Sequence, residues 1–324
     1  MSTPSYSGWS ADKFHAVYDG NTWSKSGSEP AIPVSASCVQ YAQSVIEGMK
    51  AYKTGNGKSV VFRLHAHHER LQYSLKRLNL PPIDLDFFYE ALKTVITPAS
   101  QWESPLTSDI LYIRPIVYGL EGDIFPAASK KCGFSIYTAP VGNFRKENCT
   151  IQFFNLLTRT SEHGLNSAKT SLNYAPIISK PAKEKPVTDV WFDPVTGYIE
   201  EADTSNIFFV IRDLGIITPI LNSRILAGIT RSSVIEIIKQ ELPYQLIEQN
   251  ITVQKILEFS RAGRLLDCFM TSTGIGIQHV NDIYFDQQHF PVSSPNSVAN
   301  ELYVKYTDTI FGSNPRYNGW RVSL

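Results

Sequence analysis

The 324-residue chain has no excess of charge of either sign: 30 Lys and Arg stand against 30 Asp and Glu. It therefore carries no bulk field toward nucleic acid or an acidic membrane, and neither is expected as a partner. Cysteine is scarce. Cys38, Cys132, Cys149 and Cys268 lie far apart and form no C-x-x-C pair, which excludes a zinc ribbon and a disulfide-dense scaffold and points to a reduced, cytoplasmic setting. No apolar run approaches the ~18 residues that a membrane span needs. Residues 1–10 lack a basic stretch followed by an apolar one, so export is not expected either. Asn148-Cys149-Thr150 and Asn250-Ile251-Thr252 match the glycosylation pattern, which has meaning only in a secreted protein. There is no internal repeat. What the chain does have is apolar and aromatic mass: 43% hydrophobic residues, with 17 Phe and 16 Tyr, enough to offset chain entropy in a compact fold. Its length favours two domains at roughly 100 to 200 residues each.

Strand-like and helix-like patterns alternate, as in an α+β protein. Residues 59–62, 110–118 and 133–138 read as strands, and residues 70–78 as a helix that Pro81-Pro82 stops. The mixture of Pro, Gly, Asn and charge over residues 139–148 reads as an exposed connection. The expected division is a smaller α/β domain over residues 1–142, an interdomain loop at 143–149 and a larger β-rich domain over 150–324. Within the second part, residues 151–157 and 206–211 read as strands, and Asp193-Pro194-Val195-Thr196-Gly197 as the turn of a hairpin. Residues 230–242 form a helix ended by Pro243, and residues 268–277 a strand running into a hydroxyl-rich turn.

Chemistry-bearing residues fall in four places, each with a plain structural reading beside the functional one. In Ser167-Ala168-Lys169-Thr170-Ser171-Leu172-Asn173-Tyr174 a lysine stands among small residues, with a tyrosine five positions on. In a dry pocket such a lysine has a lowered pKa and forms a Schiff base with an aldehyde; on a surface it is merely solvated. In Tyr198-Ile199-Glu200-Glu201-Ala202-Asp203-Thr204-Ser205-Asn206 acids sit beside an apolar run. A buried one would need a protonated partner, whereas on a hairpin edge both would be exposed. Leu226-Ala227-Gly228-Ile229-Thr230-Arg231 opens a helix and offers N–H groups to an anion, although an ordinary cap looks the same. Thr271-Ser272-Thr273-Gly274 is a turn able to hold phosphate or carboxylate.

In order and wording these pieces resemble the branched-chain aminotransferases, within the fold type IV pyridoxal phosphate enzymes. The resemblance spans residues 39–285. Its first half includes Tyr41-Ala42-Gln43-Ser44-Val45-Ile46-Glu47-Gly48-Met49-Lys50-Ala51-Tyr52, His68-Glu69-Arg70-Leu71 and Tyr112-Ile113-Arg114-Pro115. It implies a small N-terminal α/β domain, a larger C-terminal pseudo-barrel domain, and pyridoxal 5'-phosphate between them. It also implies a homodimer whose partner chain contributes to the pocket, in amino-acid biosynthesis. By position, Lys169 would carry the cofactor and move the proton at the substrate α-carbon, Glu201 would face the pyridine nitrogen, and Tyr174 the phenolic oxygen. Arg70, Ile229, Thr230 and Thr273 would hold the phosphate, with Thr204 also beside the cofactor. Tyr112 and the N–H groups of Thr273 and Gly274 would take the α-carboxylate, Ile46 would line the substrate pocket, and Arg114 with Tyr41 would meet the distal carboxylate of glutamate. The implied reaction moves an amino group between L-glutamate/2-oxoglutarate and an apolar amino acid/2-oxo acid pair by a ping-pong route. Phe144, in the inferred interdomain loop, would close over the substrate.

The chain departs from that family's usual wording at Ser171-Leu172, Ile46, Ala227, Asp203 and Ser272. None of these removes a catalytic group, but several lie where a substrate would sense a side chain. A D-amino-acid transaminase or an aminodeoxychorismate lyase of the same fold is the alternative, and a non-catalytic cofactor-binding protein a further one. Three other patterns are set aside. His65-Ala66-His67-His68 has no matching ligand cluster, so no metal is expected. Thr273-Gly274-Ile275-Gly276 lacks the third glycine and the helix of a dinucleotide site, and nothing fixes a glycosidase-like separation between Glu47 and Glu200-Glu201.

Overall fold

The computed structural model describes residues 10, 13–54, 58–98, 102, 109–142, 145–154, 164–181, 186–292 and 297–324. The chain forms two compact units: one of Met1–Phe144, Ala168–Tyr174 and Thr309–Leu324, the other of Arg145–Ser167 and Ala175–Asp308. The expectation was a single boundary at 143–149. Two later segments pack with the first unit, and Phe144 itself lies outside the described residues.

In the first unit the strands are β1 (Phe14–Tyr18), β2 (Trp23–Ser26), β3 (Ser44–Ile46), β4 (Met49–Lys53), β5 (Ser59–Phe62), β6 (Ile110–Gly119) and β7 (Cys132–Pro140), with the C-terminal strand Arg321–Ser323 beside β5. Among the described residues they form one antiparallel sheet, in the order C-terminal strand, β5, β4, β6, β7, β1, β2, with β3 also on β6. Alternation along β6 decides its two faces: Leu111, Ile113, Pro115 and Val117 are buried in the core, while Tyr112 and Arg114 share the opposite face. Two longer helices bury their apolar stripes in the same core, and a four-residue turn, α1 (Ser37–Gln40), precedes them. Of the two, α3 (Leu85–Ile96) is capped by Asp84, whose side chain accepts from the Phe87 N–H, and buries Phe88, Leu92 and Val95. The other, α2 (Leu64–Arg77), starts six residues earlier than its leucine spacing indicates. Arg63 takes a left-handed conformation (φ 57°) there and donates its N–H to the Trp320 carbonyl, a reversal that hydrophobic periodicity does not register. Ala139 and Pro140, read as connection, are the last pairs of β7, opposite Tyr112 and Leu111.

The second unit holds β8 (Thr150–Phe154), β9 (Thr188–Phe192), β10 (Ile199–Ala202), β11 (Asn206–Ile211), β12 (Gly215–Thr218), β13 (Leu246–Glu248), β14 (Leu265–Ser272), β15 (Gly276–His279), β16 (Asp282–Phe285) and β17 (Gln288–Pro291). They form two sheets among the described residues, β10-β9-β8-β16-β17 and β13-β12-β11-β14-β15. One apolar cluster serves both, with Ile151, Phe153 and Val190 from the first sheet and Ile207, Phe209 and Met270 from the second. The expected hairpin joins β9 to β10, and Gly197 supplies the positive φ (72°) that its turn requires. The helices are α4 (Ala175–Ile178), α5 (Ile229–Glu241), α6 (Val253–Arg261) and α7 (Val298–Phe311), the last continuing into the first unit. Residues 155–157, read as the end of a strand, lie outside the described residues. No helix among the described residues is long and apolar enough to cross a membrane.

Candidate active site

Lys169 belongs to the first unit, where it runs alongside β3. Its carbonyl accepts from the Ile46 N–H at 3.0 Å, its own N–H donates to Ser74 Oγ on α2 at 2.9 Å, and Thr170 bridges to Val45. With its main chain fixed on both sides, the amine is presented rather than free to sweep. Its Nζ donates to the Tyr174 hydroxyl at 2.9 Å, across the single turn of 3₁₀ helix Ser171–Tyr174. The five-residue spacing thus becomes a direct amine–phenol contact.

Around this pair the unit concentrates charge. Glu47 is fully buried and accepts from Arg70 Nε at 2.9 Å, Arg70 Nη2 at 2.5 Å and the Gly48 N–H at 2.8 Å, with His67 Nδ1 at 3.2 Å. Burial alone would raise its pKa, but the Arg70 guanidinium and His67 outweigh that and hold the carboxyl well below the usual carboxylate range. Burial lowers the pKa of His67, with Glu47 opposing and Arg70 and Lys169 adding to the fall. Arg114 extends its guanidinium over the Tyr112 ring, 5.2 Å from the centroid, and donates from Nη2 to the Tyr112 hydroxyl at 2.5 Å. Burial works against its charge, yet Tyr112 first, then Tyr174 and Glu47, raise its pKa. Arg114 Nε is buried without a hydrogen-bond partner among the described residues. Gly48 makes room for the phenol: a Cβ there would lie 2.5 Å from the Tyr112 hydroxyl.

The first unit therefore brings together Lys169, Tyr174, Arg70, Tyr112 and Arg114, with Ile46 buried beside Lys169. Tyr41, expected with Arg114 at the distal carboxylate, is held through its hydroxyl. Its hydroxyl faces the carbonyls of Ile124 and Asp123, at 2.7 and 2.9 Å.

The second unit places Glu201 on β10, 4% exposed. Its Oε2 accepts from the Asn206 amide at 3.1 Å and the Leu226 N–H at 3.2 Å. The Asn206 amide also donates to the Leu226 carbonyl, and Gly228 leaves space for it, since a Cβ there would lie 2.0 Å from Asn206 Oδ1. The neighbouring Glu200 is paired with Arg224 at 3.2 Å, so the two adjacent acids serve different partners. Ile229 and Thr230 open α5, where first-turn N–H groups have no carbonyl within the helix, and the Thr230 hydroxyl lies 3.4 Å from that of Tyr306. Arg231, in the same turn, is tied to Glu248 and the Pro219 carbonyl. Thr273 and Gly274 form the turn between β14 and β15, next to Thr271, whose buried hydroxyl has no hydrogen-bond partner among the described residues. Thr204 is exposed on the turn between β10 and β11.

The sequence family described as amino-transferase class IV matches residues 44–283, well over half of the chain. The chain belongs to the class IV aminotransferases. Its similarity to single members covers most of the length: 33% identity over 301 residues to a probable branched-chain-amino-acid aminotransferase of Staphylococcus aureus, covering 90% of this chain and 83% of that one. A chloroplastic branched-chain-amino-acid aminotransferase of Arabidopsis thaliana is 30% identical over 301 residues, 90% of this chain and 70% of its own length. Among solved structures, the branched-chain aminotransferase of Thermoproteus uzoniensis superposes with a TM-score of 0.75 at 24% identity, over 96% of this chain and 99% of that one, and shares the fold.

For this aminotransferase the sequence left several supporting residues unassigned. Glu47 and His67 were weighed only as a glycosidase acid and a metal ligand, and the structure instead gives both to the Arg70 cluster. Ser74 and Asn206 carried no local signal at all. Each is a common polar residue whose role depends on a contact distant in sequence: Ser74 meets Lys169, and Asn206 meets Glu201 and Leu226.

Proposed function

We propose that this pyridoxal 5'-phosphate-dependent aminotransferase moves an amino group between L-glutamate/2-oxoglutarate and an apolar, branched-chain-like amino acid/2-oxo acid pair, by a ping-pong route. The observation that carries the reading is the Lys169–Tyr174 contact at 2.9 Å, in a unit that also buries Arg70 and holds Arg114 half-buried. The donor set suits the cofactor: an amine beside a phenol, Arg114 Nε and the Thr271 hydroxyl, each buried with no hydrogen-bond partner among the described residues, and a buried carboxylate oriented by an amide. When bound, pyridoxal 5'-phosphate supplies an aldehyde that accepts the amino group and a ring that draws electrons from the substrate α-carbon. Lys169 Nζ then moves the proton at that carbon, with Tyr174 Oη holding the amine in line. Glu201, aimed by Asn206, holds a proton on the ring nitrogen. Arg70, fixed by Glu47, together with the N–H groups and hydroxyl of Ile229 and Thr230 and the turn at Thr273, holds the phosphate.

One pocket has to accept both a carboxylate and an alkyl side chain, and the Arg114–Tyr112 pair offers a way to do so. With an alkyl chain bound, the guanidinium keeps its phenol partner and ring face; with glutamate bound, it turns its charge to the distal carboxylate. Titrating the cofactor-loaded protein with L-glutamate and then with a panel of 2-oxo acids tests this reading by absorbance. Bleaching by glutamate and recovery with branched 2-oxo acids is expected. A band that glutamate leaves unchanged would favour the lyase or the D-specific alternative.

We further propose that the chain works as a homodimer in the cytoplasm. The 32–41 and 121–125 stretches are tied together by Ser37 N–H to the Glu121 carbonyl and by Tyr41, and they expose Val34 (84%), Ile124 (86%) and Phe125 (76%). Such a patch suits a second copy of the chain. All four cysteines are free thiols, in keeping with a reducing compartment. Light scattering should give a dimer, and Phe125→Glu should yield monomer.

A further inference from the structure

Between β9 and β10 the pairing slips. Ile199 lies opposite Phe192 and Ala202 opposite Val190, so three steps along β10 match two along β9 and the bulge falls at Glu200 and Glu201. A bulge re-aims side chains, and a one-residue change of register sends each to the other face. Two adjacent glutamates make that slip consequential. In the observed register Glu201 meets Asn206 and Leu226 while Glu200 meets Arg224; slipped by one, they would exchange places.

Asp203 stands two residues beyond Glu201, where the family resemblance leads to a small residue. Its N–H donates to the Asp189 carbonyl at 3.0 Å, and its carboxylate accepts from the Asp189 N–H at 3.4 Å. Trp191 Nε1 donates to Oδ1 at 2.8 Å, and Lys180 Nζ reaches both oxygens at 2.6 Å while also meeting Asp189 Oδ2 at 2.6 Å. Asp189 is fully buried and Trp191 nearly so, with its ring edge-on to Phe154 at 5.1 Å. A turn closes the corner, with the Ala202 N–H on the Ser205 carbonyl at 2.8 Å. Asp203 is thus bound to β9 by main chain and side chain at once, at the point where register is decided. An unbulged β10 would draw its carboxylate away from Lys180 and Trp191 and leave buried charge unpaired.

We propose that Asp203, locked by Lys180, Asp189 and Trp191, is a positioning residue that pins the bulged register and thereby selects Glu201, not Glu200, as the carboxylate turned toward the cofactor. The selection rests on the function proposed above; the pinning does not. Asp203→Ala removes every contact of the carboxylate, whereas Asp203→Asn keeps an acceptor for Trp191; Lys180 stays paired with Asp189 in both. In cofactor-free protein, hydrogen exchange at the amides of residues 189, 202 and 203 should quicken ~10- to 100-fold in Asp203→Ala. In Asp203→Asn it should stay within about threefold, and α6 should be unaffected in both. In the loaded protein, the pH midpoint of the cofactor band should move in Asp203→Ala and return in Asp203→Asn, with kcat falling ~100-fold and the glutamate KM nearly constant. Unchanged exchange, or exchange quickened alike throughout the unit, would overturn the pin. Local quickening with an unmoved band would overturn the selection of Glu201. Wild-type protein that takes up no pyridoxal 5'-phosphate would instead overturn the function proposed above, leaving the exchange result to judge the pin alone.

Discussion

Charge in the first unit sits on long side chains: Arg70 and Arg114 gather near the carboxylate of Glu47, and Lys169 near the adjoining His67. The second unit offers a different inventory, with Glu201, the N-terminus of α5 and the hydroxyls of Thr230 and Thr271. The contrast separates two ways of meeting an anionic ligand. Side-chain cations act over distance and can be redirected, as Arg114 is by Tyr112. Helix N–H groups and hydroxyls act only at contact and hold one geometry. On the function proposed above, the group that moves a proton, Lys169, and the group that changes partner, Arg114, are both of the first kind.

The largest test of that division is Lys169→Ala. Removing the amine should lower multiple-turnover transamination by ~10⁴-fold, while thermal unfolding changes little, because the main-chain bonds to Ile46 and Ser74 survive. Retained turnover would put the proton-moving group elsewhere. Next comes Glu47→Gln, which leaves the buried Arg70 without its anion and should cost about 3 kcal/mol of stability, read by denaturant unfolding. A loss below about 0.5 kcal/mol, within the range of ordinary surface substitutions, would show that Arg70 is not held by its pair with Glu47.

How much of this was legible in the sequence depended on whether a residue's role is local. The Lys169–Tyr174 pair could be read because one helical turn carries the contact, and α5 because its apolar spacing and Pro243 mark it. The start of α2 could not. Arg63 takes a left-handed turn for the sake of Trp320, more than 250 residues away, and hydrophobic spacing carries no trace of it. Glu47 was visible as an acid but not as the partner of Arg70, since a carboxylate has the same signature in every role until its neighbours are known. The register of β10 was hidden for a related reason. The sequence shows two glutamates in a row, and only cross-strand pairing decides which one turns to Asn206.

Smaller effects sharpen the contrast. Arg114→Met should lower kcat/KM for glutamate by ~30-fold but that for branched substrates by less than about threefold, because only the distal carboxylate needs the guanidinium. Equal losses for both substrates would mean that Arg114 shapes the pocket and does not read charge. In the second unit, Gly228→Ala forces a Cβ onto Asn206 Oδ1 and should cost about 1 to 3 kcal/mol, with the cofactor band shifted through Glu201.

The gentlest probe is acid, which should reach the two units unequally. His67 has its pKa lowered by burial from 6.5, so it stays neutral in the fold at pH values where the unfolded chain takes up a proton. Stability must then fall as pH drops below 6.5, at up to about 1.4 kcal/mol per pH unit for one proton. Glu47 adds a second limb with its own sign. Its carboxyl is held below 4.5, so the stability it contributes is present above that value and is lost as pH falls through the native pKa. His67→Gln should flatten the first limb and Glu47→Gln the second. Hydrogen exchange should show α2 opening before β9 and β10, since both titrating groups contact Arg70 or lie on α2. If β9 and β10 opened first, acid sensitivity would not originate in the charge cluster of the first unit, and the comparison between a unit of redirectable charge and a unit of fixed contacts would lose its thermodynamic counterpart.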